Sequence, residues 1–213
     1  AGPDMYLMTR PNLEVFANAG QTADITSYMT SSEALKKNAS EVDAAIIETY
    51  QVDGKQMGYP LSYESTGIIF NKDIFEKAGV PRPSEIEDTW TWDDLREMAK
   101  TLTKREGDKI TQYGYYIPAG RFPTFEFIWA NGGELFNEDG TRCVIASEEG
   151  KEAIQFLADM MLVDQVSPTI AYTQSESSTD MFLSGKIAMM SLMNSSISNM
   201  INDIKDFEWD VAE

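Results

Sequence analysis

The sequence predicts an α/β protein of two unequal lobes, and three observations lead there. Apolar runs of strand length alternate with helical periodicity along the 213 residues. Segment 54–75 strings together a turn, a short strand, a polar elbow at Tyr63 and Glu64, an apolar strand and a capped helix. A chain that passes from one lobe to another reads this way. A hydrophobic content of 42% is enough to bury a core at this length. The expected division is a first lobe over 1–62, a crossing at 63–65 and a second lobe over 66–213.

From the N-terminus, the apolar run Pro3 to Met8 reads as a buried strand. It empties into the polar loop Thr9-Arg10-Pro11-Asn12, ahead of a helix from Leu13 to Ala19 that stops at Gly20. Ligands collect at the carboxyl ends of strands in open α/β sheets, so Arg10 and Asn12 are candidate binding residues; the alternative is an ordinary solvated loop. Val42, Ala45, Ile46 and Thr49 give a helix that ends before the turn Val52-Asp53-Gly54-Lys55. After the elbow comes a strand from Gly67 to Phe70. Asn71 caps a helix carrying Ile74, Phe75 and Ala78 on one face and ending at Gly79.

Pro81 and Pro83 stiffen the next linker. Thr91 and Asp94 form a capping box for a helix from Trp92 to Lys104, with Leu95, Met98, Ala99 and Leu102 as its core stripe. Trp90 reads as surface packing. A strand over Tyr113 to Ile117 leads to an aromatic loop, Arg121 to Phe125, then a helix through Trp129 that breaks at Gly132-Gly133. Ser147 caps a helix from Glu148 to Leu162 with Ile154, Leu157, Ala158 and Met161 facing inward. A polar loop from Thr173 to Ser178, a short helix, a Gly185-Lys186 turn, a strand from Ile187 to Leu192 and a last strand from Trp209 to Ala212 complete the chain. The lone Cys143, between strand-like neighbours, reads as a small buried apolar residue.

Charge and missing residue types exclude much. Lys and Arg number 17 against 35 for Asp and Glu, and the net charge of -18 repels phosphate backbones and anionic headgroups. Nucleic-acid and membrane-surface roles are therefore not expected. No run approaches the roughly 18 apolar residues of a spanning helix, and no basic segment precedes an apolar one, so a soluble chain with any export signal already removed is expected. With no histidine there is no Ser-His or Cys-His pair and no ordinary zinc set. GxSxG, GxxxxGK[ST] and GxGxxG are absent, and no cofactor is expected. The acidic pairs Asp93-Asp94 and Glu148-Glu149 sit where helices begin, which the helix dipole explains without catalysis.

Ordered along the chain are Pro3-Asp4, Phe16-Ala17 to Gly20, Asp24-Ile25-Thr26, Asp53-Gly54-Lys55 through Tyr59-Pro60, and Ile69-Phe70-Asn71-Lys72. Thr91-Trp92-Asp93-Asp94-Leu95, Trp129-Ala130-Asn131-Gly132-Gly133, Phe182 to Met190 and Trp209-Asp210-Val211-Ala212 follow. In this ordered set the chain resembles the extracellular solute-binding proteins of ABC importers, in the carbohydrate-binding group that includes maltose-binding protein. The resemblance implies a type II periplasmic-binding-protein-like fold with sugar held between two α/β lobes. In that family the chain starts a strand and a helix earlier and later re-enters the first lobe, so residues 1–62 are expected to be an incomplete N-terminal lobe of a longer protein.

The resemblance implies a non-enzymatic subunit that captures a carbohydrate and delivers it to the transmembrane subunits of an ABC permease. It also implies a monomer, lipid-anchored on the extracellular face or free in the periplasm. A pyranose has apolar faces that stack on flat rings and hydroxyls that need paired partners. Tyr63 and Glu64 at the elbow, where the family places ligand contacts, are candidate binding residues. Phe122 and Phe125 match an aromatic stacking loop; Trp129, one turn further, is a candidate with a core role as its alternative. Where the family commonly carries Gly-x-Trp, this chain has Met193-Asn194-Ser195-Ser196, so Asn194 and Ser195 are expected to hydrogen-bond the solute in place of a second stacking ring. The rival readings are a glycoside hydrolase using Glu64 and Glu126 and a sensor subunit of the same fold.

Overall fold

A computed structural model describes residues 4–86, 89–118 and 120–212, the side chains at 121 and 122 excepted. The chain divides into two compact units, Ala1–Tyr63 and Glu64–Glu213.

The smaller unit is helical. It holds α1 (Arg10–Asn18), α2 (Thr26–Ser31), α3 (Glu33–Ala39), α4 (Ala44–Glu48) and a hairpin of β1 (Gln51–Val52) with β2 (Lys55–Gln56). Asp53 and Gly54 both take positive φ, 50° and 72°, the left-handed pair that a two-residue hairpin turn needs. Gln56 is buried, and its amide donates to the carbonyls of Ile47 and Gly58 at 2.9 and 2.8 Å, tying α4 to the hairpin. The expected strand over Pro3 to Met8 does not form in the described residues: 4–9 are irregular, and Met5 and Leu7 are 88% and 84% exposed. A strand needs a neighbour for its backbone groups, and the hairpin pairs only with itself; Pro3 lies outside the described residues.

Polar residues expected in loops begin helices instead. The loop at 9–12 is the first turn of α1, with Pro11 where its missing N–H costs nothing. In the larger unit the aromatic loop is likewise the first turn of α7 (Arg121–Ala130), with Pro123 in that turn.

The larger unit is a five-stranded sheet covered on both faces. Its strands are β3 (Thr66–Asn71), β4 (Lys104–Glu106), β5 (Lys109–Tyr116), β6 (Ile187–Met193) and β7 (Trp209–Ala212), in the order β4-β5-β6-β3-β7. Only β5 and β6 run parallel; β3 is antiparallel to β6 and β7, and β4 to β5. The helices are α5 (Lys72–Ala78), α6 (Trp92–Leu102), α7, α8 (Glu148–Leu162), α9 (Ile170–Thr173), α10 (Ser178–Leu183) and α11 (Asn194–Met200). Strand alternation divides the core. Phe70 and Met189 pack with Phe75, Leu102 and Met160 on one face, whereas Ile69 and Met190 pack with Met181 and Phe182 on the other. Such double burial is why β6 reads as the unbroken apolar run Ile187 to Met190.

Caps set several boundaries. Asn71, itself buried, accepts from the Ile74 N–H at 3.1 Å, and Gly79 closes α5 at φ 66°. Thr91 and Asp94 form their reciprocal box on α6, although this helix stops at Leu102 and Lys104 starts β4. Ser147 accepts from the Gly150 N–H at 3.2 Å to start α8. The buried stripe of α8 is Ala153, Leu157 and Met160, and Ile154 is 44% exposed. Small residues decide that face: a Cβ on Gly150 would lie 2.1 Å from the Ile145 carbonyl oxygen, so the helix seats closely there. Cys143 is exposed, its only strand contact an isolated bridge to Phe136, because the predicted strand has no sheet to join.

Candidate ligand-binding site

The parallel pair defines a pole of the larger unit. β5 and β6 both end there, and Thr66, the first residue of the antiparallel β3, pairs with Met193 at the same end. Sheets of this kind bind solutes outside the carboxyl ends of their parallel strands. Three sequence-predicted residues meet there. The Ser195 hydroxyl donates to Glu64 Oε2 at 2.9 Å, and the Ser195 N–H contacts the same oxygen at 3.4 Å and Asn194 Oδ1 at 2.8 Å. The Asn194 N–H donates to the Ser65 carbonyl at 2.9 Å, locking the start of α11 to the segment entering β3. Glu64 is thus oriented by a neighbour 131 positions away while it stays exposed.

The other candidates are distributed differently. Arg10 is committed within the smaller unit: its guanidinium donates to Glu14 and to the Gln51 carbonyl, both at 3.1 Å. Asn12 is exposed on α1. Neither stands at the end of a strand, because no strand precedes α1 among the described residues. Tyr63 closes the smaller unit and is 65% exposed. Phe125 and Trp129 lie one turn apart on α7 with ring centroids 5.9 Å apart, and Trp129 is half exposed, so it is not a core residue. The side chain of Phe122 lies outside the described residues.

A cavity of about 260 Å³ opens between α6, α7 and the sheet at this pole. Its polar lining is Thr66 from β3, Thr91 at the cap of α6, Tyr115 from β5, Ser191 from β6 and Glu126 from α7; its flat walls are Trp90, Trp92 and Phe127. Trp92 is held by stacking on Phe156, centroids 4.8 Å apart, and by a tilted contact with Phe127 at 5.3 Å. The Ser191 hydroxyl donates to Glu126 Oε2 at 3.4 Å. Burial pushes the Glu126 carboxyl above the usual glutamate range, partly offset by the hydroxyls of Thr66 and Ser191. Tyr115 is fully buried, and burial, then the nearby Glu126, hold its phenol far above the usual tyrosine range.

Sequence reasoning missed most of this lining. Trp90 lines the cavity and is not mere surface packing. The sequence alone offers Glu126 only as a partner in a hydrolase pair. The signal that finds Tyr115 and Ser191 is their position in the last residues of two adjacent parallel strands. One member of each acidic pair at a helix start is committed to a cap or a surface pair: Asp94 accepts from the Thr91 N–H and hydroxyl, each at 2.7 Å, and Glu148 pairs with Lys151 at 2.6 Å. No cluster of three metal-ligating side chains occurs among the described residues. No helix among them is long and apolar enough to cross a membrane.

The chain is 31% identical to an ABC substrate-binding protein from Listeria monocytogenes in complex with cycloalternan, with a TM-score of 0.81 over 93% of this chain and 49% of that one. It is 30% identical over 119 residues to an arabinooligosaccharide-binding protein from Halalkalibacterium halodurans, covering 55% of this chain and 25% of the relative. A maltotriose-binding protein from Pyrococcus abyssi is 25% identical over 189 residues, 89% of this chain and 37% of the relative. The chain thus spans about half the length of the solved Listeria protein and a smaller share of these two relatives. The fold is the mixed α/β, type II binding-protein fold. A match to the bacterial extracellular solute-binding protein family runs over residues 1–212, and the chain belongs to that family.

Proposed function

We propose that this chain belongs to the substrate-binding subunit of an ABC importer, and that the pole of the larger unit contacts a carbohydrate without altering it. One observation carries the reading: Glu64 and Ser195, 131 positions apart, are joined by hydrogen bonds at the carboxyl ends of the parallel strands, with Asn194 bonded to Ser195 beside them. The relatives named for arabinooligosaccharide and maltotriose binding, and the Listeria protein in complex with cycloalternan, support a saccharide as the solute. An oriented carboxylate, an amide and a hydroxyl offer the mixed donors and acceptors that sugar hydroxyls require. Phe125 and the half-exposed Trp129 supply ring surface on α7; each stacked ring contributes about 1.5–3 kcal/mol of apolar burial. The partners are permease transmembrane subunits, and the protein acts as a monomer outside the cell membrane, lipid-anchored or periplasmic. Capture without chemistry fits the commitment of Asp94 to a cap and of Glu148 to a surface ion pair.

A thermal-shift panel of monosaccharides and oligosaccharides tests this. A ligand that binds only the folded state at a hundred times its Kd adds about 2.7 kcal/mol of stability, a shift of several degrees. At least one saccharide should raise Tm without being consumed. Shifts from amino acids or peptides alone, or cleavage products on incubation, overturn the reading.

A further inference from the structure

The cavity between α6, α7 and the sheet has an unbalanced supply of hydrogen-bonding groups. Glu126 is the one charged side chain in its lining, and no cation pairs with it among the described residues. The nearby hydroxyl protons are already used. Ser191 donates to Glu126, the Tyr115 phenol is hydrogen-bonded to Ser191, the Thr66 hydroxyl also reaches that carboxyl, and the Thr91 hydroxyl donates to Asp94. From Ile68 onward β3 is paired on both sides, so its backbone N–H groups are in the sheet. What faces an occupant is an excess of oxygen lone pairs beside aromatic walls, with the Trp92 indole as the remaining side-chain donor.

A neutral ring hydroxyl brings an acceptor along with its donor, whereas an ammonium brings three donors and no acceptor. Aromatic faces attract cations, tryptophan most strongly, and a net charge of -18 draws cations toward the protein at long range. The volume of about 260 Å³ falls below the range typical of drug-sized ligands, which restricts the occupant to one small ring. We propose that this cavity is a subsite for a protonated amine carried on a single sugar-sized ring, so that the solute is an amino-sugar-containing carbohydrate. This rests on the carbohydrate reading above and names its substrate class. Burial of the Glu126 carboxyl without a counter-charge is a cost that such an amine offsets.

The test is calorimetric titration of the full chain at about pH 7, near which an amine retains much of its proton, with glucosamine, glucose and N-acetylglucosamine. The three share a ring and differ in the charge at one position. Glucosamine should bind about tenfold more tightly than either neutral sugar, the scale of one charge-assisted hydrogen bond. Glu126→Gln should abolish the preference while its Tm shows that the fold persists. Should that variant fail to fold, Glu126→Asp keeps the charge with a shorter reach and should reduce the preference. Equal binding of the three sugars, or a preference that survives Glu126→Gln, overturns the proposal. So does tetramethylammonium binding without any sugar preference, which assigns a bare cation cage. If neutral oligosaccharides bind and the amine adds nothing, the amine subsite falls and the carbohydrate reading stands; if no saccharide binds, both fall.

Discussion

Glu126 and Asn71 show how single side chains in this molecule answer to their surroundings. The Glu126 carboxyl, shifted upward first by burial, holds its proton more tightly folded than unfolded. Its contribution therefore runs opposite to that of a paired carboxylate: the folded state loses stability as pH climbs from the ordinary value of 4.5 toward the raised one. Without ligand, Glu126→Gln removes this loss. Melting curves of wild type and variant should coincide in acid and separate above about pH 4.5, with the variant higher; curves that stay together across that window contradict the assignment. Asn71 is the reverse case, a buried amide whose oxygen satisfies the Ile74 N–H. Asn71→Ala should cost about 1–2 kcal/mol in urea unfolding, since it removes a cap and strands a buried donor. The first of these residues was visible in the sequence only as an acid. The second announced its role, because a cap is decided within four positions.

Elements were legible to the degree that their causes are local. The caps at Asn71, Thr91 and Ser147, the turn at Asp53-Gly54 and the stop at Gly79 all stand where their residues place them. Two of the failures have one form: the segments around Pro11 and Pro123 read as a polar and an aromatic loop, whereas proline is at home in a first helical turn and both segments begin helices. That single misreading moved Arg10, Asn12, Phe122 and Phe125 from loops onto helices. The failure of the N-terminal strand to form among the described residues has a non-local cause, since a strand exists only through its partner. Packing distances are equally invisible in sequence. A Cβ on Gly114 would lie 1.9 Å from the Ala99 carbonyl oxygen, so β5 and α6 meet backbone to side-chain-free backbone. Gly114→Ala should therefore cost about 3 kcal/mol or more, read from denaturant midpoints at unchanged slope. A change below about 0.5 kcal/mol would mean the two elements are not in this contact.

At the scale of the molecule, stability is unevenly spread. Leu13 is the one large apolar side chain buried among the described residues of the smaller unit, whereas two clusters sandwich the sheet of the larger one. Amide hydrogen exchange should be slowest in β3, β5 and β6 and faster by orders of magnitude in α2 to α4; uniform protection across both units contradicts this division. The candidate site stands on the stable side of that divide. The pole joining Glu64 to Ser195 was only half legible: the sequence indicated which residues could bind, while the cavity around Glu126 needed the sheet to bring three strands and two helices together. The most direct test of the account is calorimetric titration of wild type and Glu64→Gln with whichever saccharide gives the largest thermal shift. The account predicts binding at least tenfold weaker in the variant at unchanged Tm; equal affinity in the two proteins would remove Glu64, Asn194 and Ser195 as the contact surface.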